Sequence, residues 1–377
     1  MNNDNHCFVY AVCGDDIFIN QLNTSLNFLK HFTSKQIIIV TDLSRNKQKI
    51  NHDNIIDIKT PDYFNSHQAA IYLKTSLNKH LPKGNRYCYL DSDILALSEK
   101  ADKIFDFYKP PVCFAKDHIK TVKFSPYAVN CGCLEEYSIK KSDYLKKINA
   151  KHTFDDLFYN DDSREILKII MLTKKYPAKN ISIIIKYLVQ YKLPFSRKFK
   201  LSDNYYLDKN LNTWFDKSHN TIAFDFFPFF KKYDLKCTHL HNEVKSKFGL
   251  KIPVNWQHWN GGVFLFDDNS DAFMNTWHEM TMEIFNDNKW KIRDQGTLIA
   301  TAWKYKLQNH NTLPRYFNFI VDFFNPLCDY HSDKGFSCNG FKTTYNPAFI
   351  HYIHQFENLY WNVRQAADLI IKKLKEN

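Results

Sequence analysis

Hydrophobic positions follow two alternating periods over the first 115 residues. CFVYAV (7–12) is a short continuous apolar run, as a buried strand is, and residues 17–32 then place Ile19, Leu22, Leu26 and Leu29 on one helical face. QIIIVTD (36–42) and NIIDI (54–58) read as further strands, the first of them ending on a carboxylate. Residues 67–81 set Ala70, Lys74, Leu77 and Leu81 along one helical stripe. After the turn-forming Lys-Gly-Asn comes RYCYLDSD (86–93), and VCFA (112–115) closes the series. Strand–helix alternation of this kind predicts an α/β fold, a mostly parallel sheet with helices on both faces. Ligands of such sheets sit beyond the carboxyl ends of the strands, which is where Asp91 and Asp93 fall.

Between about 118 and 253 the alternation stops. This stretch is rich in Lys and Tyr, predicts helices over 163–175 and 180–192, and carries a Phe cluster in AFDFFPFFKKY. It reads as a large, mainly helical insertion. From 254 the α/β pattern returns with HWNGGVFLFDD, a helix holding Phe273, Trp277, Met280 and Ile284 in register, and RDQGTLIATAW. The last stretch, 358–377, predicts an amphipathic helix with a basic tail, docked on the core or lying on a membrane surface. The expected division is therefore 1–117, 118–253, 254–350 and 351–377.

Composition narrows the classes. With 44% hydrophobic and 24% charged residues, the 377-residue chain has the make-up of a soluble globular protein. ISIIIKYLVQY is too short for a membrane span and is interrupted by Lys186, and no secretory-signal pattern opens the sequence. Nine scattered cysteines without a CxxC pair point to a reduced, cytoplasmic protein. The net charge of +11 favours anionic partners such as nucleotide phosphates, acidic glycans or lipid head groups, unless it is only a solvated Lys-rich surface. No RNP, zinc-finger or helix-turn-helix pattern is present, so nucleic acid is not an expected partner.

The candidate chemistry begins at Asp91-Ser92-Asp93. In extended backbone, residues i and i+2 point the same way, so both carboxylates can face one point. They resist burial unless a divalent metal, a Lys or Arg, or solvent relieves them. Hard oxygen donors suit Mg²⁺ or Mn²⁺, which bridge to substrate phosphates; a plain strand-end turn is the competing account. Lys74 either snorkels from its apolar stripe or holds a diphosphate opposite such a metal. Asn260-Gly261-Gly262 allows close backbone approach, or simply turns the chain into a strand. Asp294 and Gln295 cap a helix or offer an acceptor and an amide to a polyol. His351 is a candidate third ligand, with His354 as a second choice and a structural imidazole as the alternative. Cys237, His239 and His241 offer zinc-type donors, but the sequence shows no matching second half; Cys131-Gly-Cys133 is a weak metal signal by itself.

Taken in order, YLDSDILAL, WNGGVFLFD and RDQGTLI resemble the GT-A-fold nucleotide-sugar glycosyltransferases. Among these the chain is most similar to family 8, the retaining galactosyl/glucosyltransferase and glycogenin-like group, over about 1–117 and 254–361. The resemblance implies a GT-A fold and the metal-dependent transfer of a hexose, with retention, from a UDP-sugar to a glycan or glycolipid acceptor such as lipopolysaccharide or capsule. It implies Mn²⁺ (or Mg²⁺) on Asp91, Asp93 and His351. Ala11, Val12 and Cys13 would lie by the uridine; Lys74, Asp91 and Ser92 by the nucleotide-sugar; Asn260, Gly261 and Asp294 near the donor sugar. Gln295 matches the sugar-face position of the family's disputed nucleophile or stabiliser. Residues 1–117 would then bind the nucleotide-sugar, 118–253 serve the acceptor side, 254–350 hold donor sugar and acceptor, and 351–377 carry the last metal ligand. The expected location is the cytoplasm, with peripheral contact at the inner membrane face. The family's histidine segment continues with a Gly and then Lys-Pro-Trp; here His354 stands at the Gly position and only Trp361 matches the end. An inverting course would instead need a carboxylate base such as Asp294 or Asp267. The other classes open at this point are a nucleotidyltransferase, a sugar-nucleotide hydrolase and a non-catalytic glycan- or membrane-binding protein.

Overall fold

A computed structural model describes residues 5–147, 235–321 and 343–352 continuously, the strands within 150–153, 198–202, 205–208, 213–216, 221–223, 328–331 and 335–338, and Leu369 and Lys372. The chain divides into two compact units: residues 1–131, 236–322 and 345–377 form the first, and 132–235 with 323–344 the second.

The first unit is built on a six-stranded sheet. Its strands are β1 (His6–Ala11), β2 (Gln36–Thr41), β3 (Ile55–Asp57), β4 (Arg86–Leu90), the Trp259–Phe266 strand and β6 (Val112–Lys116), with the short β5 (Ile94–Ala96) following β4. The order is β3-β2-β1-β4-(259–266)-β6. β1, β2, β3 and β4 pair in parallel, whereas the 259–266 strand runs antiparallel to both β4 and β6. The sheet is mostly parallel and covered on both faces, as its near-continuous apolar strands require.

Strand alternation separates two cores. Phe8, Tyr10, Cys88, Leu90, Val263 and Leu265 pack with Leu22, Leu26 and Leu29 of helix α1 (Asp16–Phe32). Val9, Tyr87, Tyr89, Phe264 and Phe266 face the other way, against Leu73 of helix α2 (Ser66–Thr75) and against Phe273, Trp277 and Leu298 of the helices Asp271–Glu283 and Arg293–Lys304. Aromatic rings stack across neighbouring strands there, Tyr89 on Phe264 at 4.8 Å and Phe264 on Phe114 at 4.6 Å.

A second, three-stranded sheet carries the return of the chain. Phe349–Tyr352 lies parallel to Phe319–Val321 and antiparallel to β5, with His351 opposite Ile94. The Asp91–Asp93 stretch is therefore the link between the large sheet and the small one. It is a turn and not the extended segment expected: the Ile94 N–H donates to Asp91 O at 3.3 Å. The helix expected over 67–81 is likewise interrupted. Asn65 opens α2 with a capping box to Gln68, and α2 stops at Thr75 before a second short helix, α3 (Leu77–His80). Thr75 and Ser76 donate their hydroxyls back to Ile71 O and Tyr72 O, which loosens the helix between them.

The second unit lies where the sequence predicts a mainly helical insertion. Its described residues are one helix, Cys133–Lys147, a five-stranded sheet made of Ala150–Thr153, Lys198–Ser202, Tyr205–Asp208, Thr213–Asp216 and Thr221–Ala223, and a three-stranded sheet in which Cys328–His331 pairs antiparallel with Gly335–Cys338 and Thr343–Tyr345 is the third strand. KFKLS, YYLD, TWFD and TIA are aromatic and β-branched runs separated by short Asn-containing spacers, the signal of consecutive hairpins. Residues 118–131 and 236–253, expected inside the insertion, belong to the first unit, where helices α4 (Thr121–Ala128) and His239–Phe248 pack through Phe124, Leu240 and Val244. The helices expected at 163–175 and 180–192 lie outside the described residues, as does 358–377 apart from Leu369 and Lys372, which are helical. No helix among the described residues is long and apolar enough to cross a membrane.

Candidate active site

Parallel pairing brings the strand ends to one edge. Val9 is level with Tyr89, so two residues further on Ala11 and Asp91 leave the sheet together. Val12 and Cys13 continue from β1 as buried backbone, with the Val12 N–H on Val40 O at 3.1 Å. Burial pushes the Cys13 thiol up to about 12, so it stays protonated and serves as a small apolar residue. Ser92, at the middle of the turn, is half-buried.

Three carboxylates meet at this edge with a single lysine and an imidazole. Lys74 Nζ stands 3.1 Å from Asp91 Oδ1 and 3.1 Å from Asp294 Oδ2, and the Tyr89 hydroxyl donates to Asp91 Oδ1 at 2.5 Å. Asp91, Asp93 and His351 present ligand atoms that all lie within 4.8 Å of one another. Lys74 is 8% exposed and does not snorkel. Burial disfavours its ammonium, but Asp91 and Asp294 outweigh that and hold it charged. For Asp91 the balance runs the other way: burial and the charge of Asp93 raise it in spite of Lys74 and His351. One lysine shared between Asp91 and Asp294 leaves the Asp91–Asp93 side short of positive charge. Asp294 is opposed by burial too, yet Lys74 brings it below the ordinary range and keeps it ionised.

A chain of amides fixes the imidazole. Asp117 Oδ2 can only accept, so Asn260 Nδ2 donates to it at 3.0 Å and turns Asn260 Oδ1 inward. That oxygen accepts from the Gly262 N–H at 2.9 Å and from Asn318 Nδ2 at 3.0 Å. Asn318 Oδ1 then faces His351 Nδ1 at 3.0 Å, which makes Nδ1 the protonated nitrogen. Nε2 stands 3.2 Å from the buried Asp93 Oδ1, so a proton or a metal cation can sit between them. An imidazole tied through its other nitrogen is how histidine ligands are held, and a metal ion here would displace the Nε2 proton. Burial opposes a proton on His351, but Asp93 and Asp91 outweigh it and raise the imidazole above its usual value. The residues therefore fit a hard divalent ion such as Mn²⁺ or Mg²⁺.

Gly262 keeps this space open. A Cβ there would come within 2.5 Å of His351 Cε1, 2.9 Å of Asn260 Oδ1 and 3.0 Å of Asp91 Oδ2. The strand bulges at Asn260–Gly261–Gly262, where its register against β6 shifts. Gln295 holds the bulge: its Oε1 accepts from the Gly261 N–H at 2.8 Å, and its Nε2 lies 3.2 Å from His258 Nδ1 and donates to Trp259 O.

Another carboxylate at the same edge shows what a satisfied one looks like. Asp42, at the end of β2, accepts from the Thr60 N–H at 2.8 Å, from the hydroxyls of Thr60 and Ser44, and pairs with Arg45 at 3.3 Å. Burial opposes its ionisation, yet these bonds bring it down to about 2.

Lys74, Asp91, Asp93, Asn260, Gly261, Asp294, Gln295 and His351 thus form one connected group, and Ala11–Cys13 and Ser92 share its edge. Asp267 does not. Its Oδ1 accepts from Tyr108 at 2.7 Å and it faces Arg86, the first residue of β4, so it lies at the opposite end of the strands and cannot act as a base here. His354 lies outside the described residues. Tyr89, Asp117, His258 and Asn318 were not singled out by sequence. Asp117 directly follows β6, and its placement after a buried strand was a usable signal; Asn318 had none.

No family model matches the chain, and no curated protein matches it. Solved structures that align with it include the apo bifunctional glycosyltransferase WbbM, with 10% identity over 98% of this chain at a TM-score of 0.42. This chain spans about half of WbbM, 50% of its length. Mouse xyloside xylosyltransferase 1 aligns over 94% of this chain and 99% of its own, with 8% identity and a TM-score of 0.39. The galactosyltransferase LgtC, solved with donor and acceptor sugar analogues, aligns over 97% and 95%, with 10% identity and a TM-score of 0.41. The chain is similar to these in outline; the chemistry of its edge rests on its own residues.

Proposed function

We propose that this protein is a metal-dependent glycosyltransferase of the GT-A type, which moves a hexose from a UDP-sugar to a glycan or glycolipid acceptor with retention. The observation that carries the reading is the cation-deficient cluster of Asp91, Asp93 and His351 at the carboxyl edge of a parallel sheet. A divalent ion there would offset the negative charge that builds on a departing nucleoside diphosphate.

The chain's own residues have distinct parts in this reading. Asp91, Asp93 and His351 Nε2 hold the ion, and Asn318 keeps the imidazole in the tautomer that allows it. Lys74, held between Asp91 and Asp294, places a fixed positive charge beside the diphosphate. The bulge at Asn260–Gly262, held by Gln295 through the Gly261 N–H, keeps the space beside Asp91 and His351 free of a side chain. Ala11, Val12, Cys13 and Ser92 line the nucleotide side. Asp294 is held ionised by Lys74 and is a poor proton acceptor, and Asp267 lies elsewhere, which speaks against an inverting base and for front-face displacement. The second unit would meet the acceptor, and the basic surface would favour an anionic glycolipid at the inner face of the membrane.

The test is turnover of a panel of UDP-sugars with Mn²⁺, measured as UDP release in the presence and absence of acceptor glycans. The expected result is slow Mn²⁺-dependent UDP release from one donor, accelerated by an acceptor. Release of pyrophosphate would identify a nucleotidyltransferase, and metal-independent glycan binding without turnover would identify a binding protein; either would overturn the proposal.

A further inference from the structure

We propose that Cys131, Cys237 and His239 are ligands of a structural zinc ion, a site separate from the edge described above. By sequence alone Cys237 and His239 lacked a partner pair. The fold supplies one, because α4 and the segment after it bring Cys131 to the start of the His239–Phe248 helix. Cys131 Sγ is 3.6 Å from Cys237 Sγ, and Cys237 Sγ is 3.3 Å from His239 Nδ1. These three belong to a group whose ligand atoms all lie within 4.8 Å of one another.

The distances fit a tetrahedral ion better than the alternatives. At Zn–S bonds of ~2.3 Å, two thiolates on one zinc stand ~3.8 Å apart, and a thiolate and an imidazole slightly closer. A disulfide needs ~2.05 Å between sulfurs, and Cys131, Cys133 and Cys237 are all free thiols. Two thiols with an imidazole are soft donors that select zinc over Mn²⁺ or Mg²⁺. The surroundings are organised as well. The buried Ser125 hydroxyl donates to Cys237 Sγ at 3.0 Å while accepting from the Leu240 N–H at 3.0 Å, which orients the sulfur from outside. On the other side, the Asn130 N–H donates to Lys289 O at 2.7 Å, so the backbone just before Cys131 is pinned.

Sequence offers the fourth donor: Cys133 follows Cys131 after a single Gly132, whose φ of +69° is the left-handed value a tight Cys-Gly-Cys turn uses. Ligands spaced as Cys-x-Cys and Cys-x-His make two short half-sites, the layout of structural zinc sites. His241 is not part of this set; it lies buried within the helix that His239 begins. The chain leaves the first unit after Cys131 and returns to it at Lys236. A zinc ion here would tie the outgoing and returning strands of the chain together, closing a loop of about a hundred residues in the way a disulfide does in an oxidising compartment.

The test is metal content of the full chain, expressed with zinc and purified without chelator. One zinc per chain is expected in the wild type and in Asp93→Asn, and background zinc in Cys237→Ser and in the surface variant His239→Gln. Cobalt exchanged into the wild type should give a thiolate-to-cobalt charge-transfer band, a readout that needs no variant to fold. Wild-type protein without zinc overturns the proposal. So do zinc that is lost in Asp93→Asn and kept in His239→Gln, and a Cys131–Cys237 disulfide found by non-reducing mass spectrometry.

Discussion

The first unit holds two places where a cation fits, and they are built on opposite principles. At the sheet edge two hard carboxylates, Asp91 and Asp93, join the imidazole of His351 beside a lysine. At the Cys131–Cys237–His239 cluster soft thiols join the imidazole, and no lysine or carboxylate is among the candidate ligands. The first arrangement suits an ion that exchanges and bridges to a substrate, because Mg²⁺ and Mn²⁺ keep ligand positions for phosphate oxygens. The second suits an ion that stays, because a closed set of sulfur and nitrogen donors leaves no position for substrate. On the two proposals, donor chemistry separates an exchanging site from a fastening within one fold.

This contrast can be broken at several points. The largest effect is expected at Lys74. Replacing it by Met leaves Asp91 and Asp294 buried without their shared cation, which costs about 3–5 kcal/mol, read as a lower denaturation midpoint, and weakens UDP binding while zinc content is unchanged. Next comes Gly262→Ala, whose Cβ would collide with His351 Cε1 at 2.5 Å. With the ring tied to Asn318, the imidazole cannot yield without leaving Asp93, and Mn²⁺ affinity measured by calorimetry should fall by about 100-fold. Asn318→Ala frees the tautomer without blocking the space, and a smaller loss of about 10-fold is expected in the same measurement.

The smallest effect is a control at the same edge. Asp42 has a folded-state value of about 2 against an ordinary 3.8. A depressed carboxylate contributes stability that is present above its unfolded value and is lost as pH falls through its folded one. Acid denaturation of the wild type should therefore show a loss between about pH 4 and pH 2 that is missing in Asp42→Asn, with Mn²⁺ and zinc binding both retained.

Sequence made much of the candidate site legible, because its residues stand at strand ends and helix starts that periodicity locates. Asp91 and Asp93 follow an apolar strand, Lys74 sits on a buried stripe, and Asp294 and Gln295 open a helix. The extended geometry expected for Asp91–Asp93 was replaced by a turn because β5 leaves the large sheet to pair with the 349–352 strand, a long-range event with no local signal. Asn318 and Asp117 act through hydrogen bonds spanning 33 to 143 positions, which no pattern of spacing reveals. In the second unit the strands Lys198–Ser202, Tyr205–Asp208, Thr213–Asp216 and Thr221–Ala223 went unpredicted, and the helices expected at 163–175 and 180–192 lie outside the described residues. The soft cluster was half visible: each pair of donors was seen, but only the fold joins residue 131 to residue 237.

The most direct test of the working site is the binding of UDP by calorimetry, with and without Mn²⁺, in the wild type and in Asp93→Asn. If the edge holds a metal–diphosphate bridge, Mn²⁺ should tighten UDP binding in the wild type by about 100-fold or more, and by little in the variant. Equal UDP affinity with and without Mn²⁺ in the wild type, or an undiminished Mn²⁺ effect in Asp93→Asn, would contradict it.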